Sequence, residues 1–136
     1  MKIMIDTNIL ISAALFPGGK AAQAFYKAIS FPYEPVVCDY IIEELKRKFE
    51  EKFPDKASDL DVFLHIYASQ VEVINTPTDI KDAEEKIRDY KDRPILRAAL
   101  EHGVDLFLTG DKDFLESSVT DPRIISAATF LSDFYE

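Results

Sequence analysis

Apolar and polar positions follow two rhythms along this chain. Short apolar runs occur at Lys2–Ile5, Val36-Val37-Cys38, Val71–Ile74, Val104–Leu108 and Arg123–Ile125. The first has no polar alternation, as expected of a strand buried on both faces of a parallel sheet. Longer stretches between these runs carry helical spacing, with turn residues at their ends. They predict helices over Ile9–Phe16 and Lys20–Ile29, from Asp39 to about Phe53, and from Pro54 to near Ser69. A weaker, highly charged helical stretch covers Thr78–Asp89. A clear one opens at Asp92 with Pro94 in its first turn and ends at Gly103. A short helix starts near Asp111, and Ala127–Tyr135 closes the chain. Asp39 and Asp92 stand where side-chain caps belong.

Strands alternating with helices argue for βα units packed around a parallel sheet, a three-layer α/β/α fold. Right-handed crossovers throughout give five strands in the order 3-2-1-4-5. In such a sheet, strands one and four meet where the winding reverses, and ligands sit beyond the carboxyl ends of the strands there. Asp6 follows strand one, and Asp111 follows strand four through Thr109-Gly110. Asp92 begins the helix that leads into strand four, and Glu44 lies in the second turn of the helix after strand two. These acids, far apart in sequence, converge on one edge.

Singly, each has an ordinary explanation. Asp6, Asp39 and Asp92 suit helix caps. Glu43 and Glu44 can pair with Arg47 and Lys48 at i,i+4 spacing. His65 and His102 read as structural. The cap explanation omits the clustering, because carboxylates sharing an edge repel one another and a cation lowers that cost. Oxygen ligands without Cys or a usefully placed His point to Mg²⁺ or Mn²⁺ rather than zinc.

Composition narrows the setting. At 136 residues and 47% apolar, the chain is long enough for one domain, 1–136, with one good core. The lone Cys38 excludes an intramolecular disulfide and a Cys-based zinc site, which fits a reducing compartment. The first apolar run is too short for a signal segment or a membrane span, so a soluble cytoplasmic protein is expected. A net charge of −9 and a pI near 4.7 repel nucleic acid and argue against a simple nucleic-acid-binding module. They leave room for an enzyme whose acids hold cations, since bound metal reverses the local sign.

The segments MIDTNILISA, IIEEL, KDRPILRAAL and LFLTGDKDFL, in that order and spacing, resemble the PIN domain family. The likeness runs over essentially the whole chain and is strongest to prokaryotic, VapC-like toxin components of toxin–antitoxin systems. It implies a metal-dependent ribonuclease with a 3-2-1-4-5 sheet and a cluster of acids that binds Mg²⁺ or Mn²⁺. It places the first acid on Asp6, the third on Asp92 and the fourth on Asp111, with Asp113 as an outer helper. The second acid usually precedes a Leu, which favours Glu44 over Glu43. One helical step is a rotation of about 100°, so only one of the two can face the site. By the same likeness, Asn8 and Thr109 orient carboxylates and water. Arg93, Arg97 and Lys112 stand near these acids and are candidates to hold flanking phosphates, although each also reads as ordinary helix surface. The resemblance further implies RNA as substrate, products with a 5′-phosphate and a 3′-hydroxyl, a homodimer and an antitoxin partner.

Two alternatives remain. One is a catalytically degenerate PIN fold that only binds a partner. The other is a receiver-like signalling domain, which needs an acidic pair after strand one and a late Lys. The chain has a single Asp6 at the first place and no Lys in RIIS at the second.

Overall fold

The computed structural model describes residues 1–133. Its strands are β1 (Lys2–Ile5), β2 (Glu34–Cys38), β3 (Glu72–Ile74), β4 (Leu106–Leu108) and β5 (Arg123–Ile125). They form one parallel sheet in the order β3-β2-β1-β4-β5, with helices on both faces. The central β1 places Ile3, Met4 and Ile5 at 0% exposure, which is why this strand has to be apolar on both sides. The edge strands β3 and β5 are only three residues each, a length that limits pairing with other chains.

The helices are α1 (Thr7–Leu15), α2 (Lys20–Ala28), α3 (Asp39–Lys52), α4 (Ala57–Tyr67), α5 (Arg93–Glu101), α6 (Lys112–Leu115) and α7 (Ala127–Asp133). The last two residues expected for the closing helix lie outside the described part. On one side of the core, Phe25 packs its ring on Phe63 and Tyr67, tying α2 to α4. On another, Phe107 and Phe114 tie β4 to α6.

The register carries the functional argument. Ile5 pairs with Leu108, Leu108 with Ile125, and Cys38 with Ile74, so the carboxyl ends of the strands are level. Asp6 and Thr109 are the next residues after β1 and β4, and each donates its backbone N–H to the adjacent strand, to Leu108 at 2.9 Å and Ile125 at 3.0 Å. The two residues therefore leave the sheet side by side.

Three expectations need correction. Asp39 is the first residue of α3 and Cys38 occupies the cap position, although Asp39 Oδ1 still accepts the Tyr40 N–H at 2.8 Å. The Asp39 carboxylate also accepts hydrogen bonds from the Thr76 N–H at 3.0 Å and hydroxyl at 2.5 Å, joining α3 to the segment after β3. Thr78–Asp89 is not an α-helix, since it has no apolar stripe to bury; within it only Asp82–Lys86 forms a 3₁₀ turn. Asp92 stands at the cap position of α5 but makes no side-chain cap bond. The chain enters α5 from a 3₁₀ turn, Tyr90–Asp92, so Asp92 is already helical and its carboxylate points elsewhere.

Candidate metal centre at the carboxyl edge of the sheet

Asp6, Thr7, Glu44, Glu84 and Thr109 are the buried polar residues among those described, and all but Glu84 stand together at this edge. Asp6 begins where β1 ends. Its Oδ1 accepts the Thr7 N–H at 2.8 Å, so Asp6 is the cap of α1. Its Oδ2 accepts the Thr109 hydroxyl at 2.6 Å. The cap role and the site role thus fall on different oxygens of one carboxylate. Thr109 also accepts the Asp111 N–H at 3.0 Å, and Asn8 Oδ1 accepts the Gly110 N–H at 3.2 Å. These bonds hold the TGD turn, and with it Asp111, against the start of α1. Thr109 thus contacts the Asp6 carboxylate directly, whereas Asn8 holds the Gly110 backbone and touches no carboxylate.

Helical rotation separates the EEL pair as geometry requires. Glu44 is buried on α3 and receives the Thr7 hydroxyl on Oε1, with Lys48 at 3.8 Å from Oε2. Glu43 is exposed. Thr7 was not singled out from sequence, though a hydroxyl directly after a strand-end acid is the kind of signal that could have marked it.

Electrostatics show how these acids press on one another. Burial pushes Asp6 up to about 6, against the lowering effect of the Thr109 and Thr7 bonds, and the Glu44 and Asp111 charges add to the rise. Half-buried Asp92 is pushed up to about 8, first by burial, then by the Asp111 charge and a hydrogen bond shared with Asp111, and further by Asp6 and Asp89. Asp92 therefore keeps its proton well above the ordinary carboxyl range when no cation is present. An all-oxygen donor set that retains protons this far above the ordinary range suits a hard divalent cation.

Around Asp92 the cluster extends outward. One carboxylate oxygen from each of Asp89, Asp92 and Asp113 lies within 4.8 Å of the other two. Asp89, which sequence reasoning passed over, caps the Tyr90–Asp92 turn by accepting the Lys91 N–H at 3.0 Å. Its spacing in DYKD, one 3₁₀ turn before Asp92, was the available signal. Asp113 stands at the start of α6 and pairs with Arg88.

The three cations expected to face phosphate separate. Arg97 is committed elsewhere: it grips buried Glu84 with two bonds, at 3.0 and 2.9 Å, and donates to the Pro77 carbonyl at 3.1 Å. These contacts turn its guanidinium to Glu84 and Pro77 rather than to a phosphate at the sheet edge. Arg93 spends its Nε on the Ile87 carbonyl at 3.0 Å. Lys112 is exposed beside Asp111.

A doubly wound sheet with acids gathered where the winding reverses places them where α/β proteins of this class bind their ligands. Residues 2–113 match the PIN domain family. The chain belongs to that family. Solved structures with the same fold include VapBC2 from Rickettsia felis bound to a DNA fragment from its promoter, at 16% identity and a TM-score of 0.68, covering 93% of this chain and 98% of that one. A toxin–antitoxin complex from Klebsiella pneumoniae aligns at 23% identity and 0.63, covering 92% and 97%. DNA-bound VapBC from Salmonella typhimurium aligns at 20% and 0.67, covering 93% and 98%. No curated protein sequence matches the chain significantly. No helix among the described residues is long and apolar enough to cross a membrane.

Proposed function

We propose that the chain, read as a single PIN domain, is a metal-dependent endoribonuclease and the toxin component of a toxin–antitoxin pair. One observation carries this reading. Carboxylates from four separate segments crowd one sheet edge, where Asp92 is pushed up to about 8 while Asp6, Glu44 and Asp111 are each braced by a hydroxyl or a backbone N–H. Asp6, Glu44, Asp92 and Asp111 would hold Mg²⁺ or Mn²⁺, with Asp113 and the newly recognised Asp89 on the outer side. A divalent cation there supplies Lewis acidity for a water nucleophile and positive charge to offset the negative charge that builds at phosphorus.

The chain's own residues do the rest. The Thr109 and Thr7 hydroxyls fix the orientation of Asp6 and Glu44 before any cation arrives, as supporting groups do in metal sites. Asp92 would have to release its proton to hold a cation, so affinity for the cation should rise with pH. Lys112 stands at the mouth of the site, where it can meet a phosphate next to the scissile bond. RNA as substrate and a homodimeric toxin are carried by the family resemblance.

An antitoxin partner has support from the surface. Helices α1, α2 and α4 enclose an apolar groove of about 260 Å³, lined in part by Tyr26, Val62, Phe63 and Ile66. Val62 and Ile66 are 58% and 51% exposed, more apolar surface than a helix face needs when nothing covers it.

Mixed cellular RNA incubated with the protein, with and without Mn²⁺, tests the reading. Cleavage should require the cation, disappear in excess EDTA and leave 5′-phosphate ends. Undiminished cleavage after verified metal removal would overturn it.

A further inference from the structure

The cations near the centre can be sorted by what already occupies them. Arg97 is spent on Glu84 and Pro77, and Arg93 has one donor on Ile87. Lys48 is paired with Glu44, and Lys81 with Glu101. Lys86 and Lys112 differ: neither ammonium makes a hydrogen bond or ion pair with another described residue. Both line a cavity of about 220 Å³, together with Arg88, Asp113, Glu116 and Ser117. Arg88 gives one arm to Asp113 and is 82% exposed along its side chain. A guanidinium carries five N–H donors in a rigid fork, so one carboxylate leaves the other arm available.

Position gives this cavity its meaning. Asp113 forms one wall of it and is also a member of the Asp89–Asp92–Asp113 trio. The cavity therefore adjoins the metal centre with a single carboxylate between them. Its walls bring together three cations and two acids, in a chain whose total charge is −9. A net positive concavity beside a cation site, in so acidic a molecule, is where a polyanion can approach without meeting the general repulsion.

We propose that Lys86, Arg88 and Lys112 form a subsite for a backbone phosphodiester of single-stranded RNA, next to the one at the metal centre. This rests on the ribonuclease reading and adds to it the path of the strand: past α6, over Asp113, and away from Arg97. Arg88 is the hinge of the arrangement, since its fork spans Asp113 and the incoming phosphate. The contacts are to backbone oxygens, so the subsite sets register and contributes no base preference.

The test measures binding of a fluorescent single-stranded oligoribonucleotide in Ca²⁺, over a NaCl series, to three proteins. They are the parent, the variant K86Q/R88Q/K112Q, and a control, K20Q/K52Q/K56Q, that removes the same charge from exposed positions on other elements. Each phosphate contact to a single strand contributes about −0.7 to the slope of log K against log salt. The pocket variant should bind more weakly, with a slope shallower by about 2, and the control should keep the parent's slope. The thermal shift on adding Mn²⁺ should persist in the pocket variant, because Asp113 is released and no proposed ligand is lost. Equal slopes for parent and pocket variant would overturn the subsite alone, and so would a control that loses as much as the pocket variant. Inorganic phosphate is added as a competitor. Its failure to weaken RNA binding at concentrations that saturate the pocket would also count against the subsite. A parent with neither RNA binding nor a Mn²⁺ shift would bring down the ribonuclease reading itself.

Discussion

At the scale of single residues, the site depends on hydroxyls that resolve a conflict. A carboxylate buried without partners is unfavourable by several kcal/mol, and Asp6 and Glu44 are both buried. Thr109 and Thr7 each donate a hydrogen bond to one of them, which fixes its direction without neutralising its charge. Glu44 is thus fixed at the carboxyl edge of the sheet while Glu43 faces water. Glu44→Gln keeps the shape and can still accept from Thr7, but loses the charge. It should lower cleavage at least about a hundredfold, beyond what loss of a supporting contact gives. Glu43→Gln should stay within about twofold of the parent, as exposed substitutions do. Rates of both variants under the same Mn²⁺ concentration decide the matter, and the reverse ranking would move the ligand role to Glu43.

At the scale of elements, the segment between β3 and α5 is the least regular part of the chain and delivers Arg88, Asp89 and Asp92. Ile87 anchors it in the core at 0% exposure, and the buried pair of Glu84 with Arg97 ties it to α5. Glu84 is 2% exposed and also accepts the Lys81 N–H at 2.6 Å. Burial pushes its carboxyl up, but the Arg97 bonds and the Lys81 N–H outweigh burial and hold it below the usual range. Arg97→Met should leave Glu84 buried and unpaired, destabilising the protein by about 3–5 kcal/mol in urea melts at neutral pH. The double variant Glu84→Met/Arg97→Met should recover much of that loss, because it removes the stranded charge as well. A double variant no more stable than Arg97→Met would show that the pair does more than satisfy itself. This segment also marks the limit of what was legible in the sequence. The strand order could be read because β1 and its neighbours are unbroken apolar runs, each closed by a polar residue at the same edge. The convergence of Asp6, Glu44, Asp92 and Asp111 followed from that order together with the helix starts, and the family likeness favoured Glu44 over Glu43. Residues 78–89 have no such periodicity, so their conformation depends on a distant partner, Arg97, and charge by itself does not reveal which cation will be buried. Asp92 illustrates the same limit, since a cap position could be read from DRP but not the turn that frees its carboxylate from capping.

At the scale of the whole molecule, the acid cluster should make folding stability depend on pH in an unusual direction. Near pH 5 the cation-free native state holds protons on Asp6 and Asp92, whose values stand at about 6 and about 8, while the unfolded chain releases them near 4. The native state therefore binds more protons than the unfolded state across this window, and stability falls as pH rises through it. For fully buried Asp6 alone, the loss between pH 5 and pH 8 is roughly 1.5 kcal/mol, or several degrees in Tm for a chain of this size. Asp92 extends the decline toward pH 8, with a smaller weight because it is half exposed. A bound cation takes the place of those protons, so the Tm gained from Mn²⁺ should grow from pH 5 to pH 8. Asp92→Asn removes one member of the crowd while keeping the size of the side chain. In EDTA at pH 8 the variant should melt above the parent, and its Tm should vary less between pH 6 and pH 8. It should also gain less from Mn²⁺. Asp55→Asn, on an exposed turn, removes the same unit of charge and separates this effect from relief of the overall net charge. Melting curves of the three proteins, each in EDTA and in Mn²⁺ across this range, contain the answer. Equal Mn²⁺ shifts in Asp92→Asn and the parent would take Asp92 out of the metal centre, and a parent whose Tm in EDTA rises with pH would contradict the proton-holding cluster altogether.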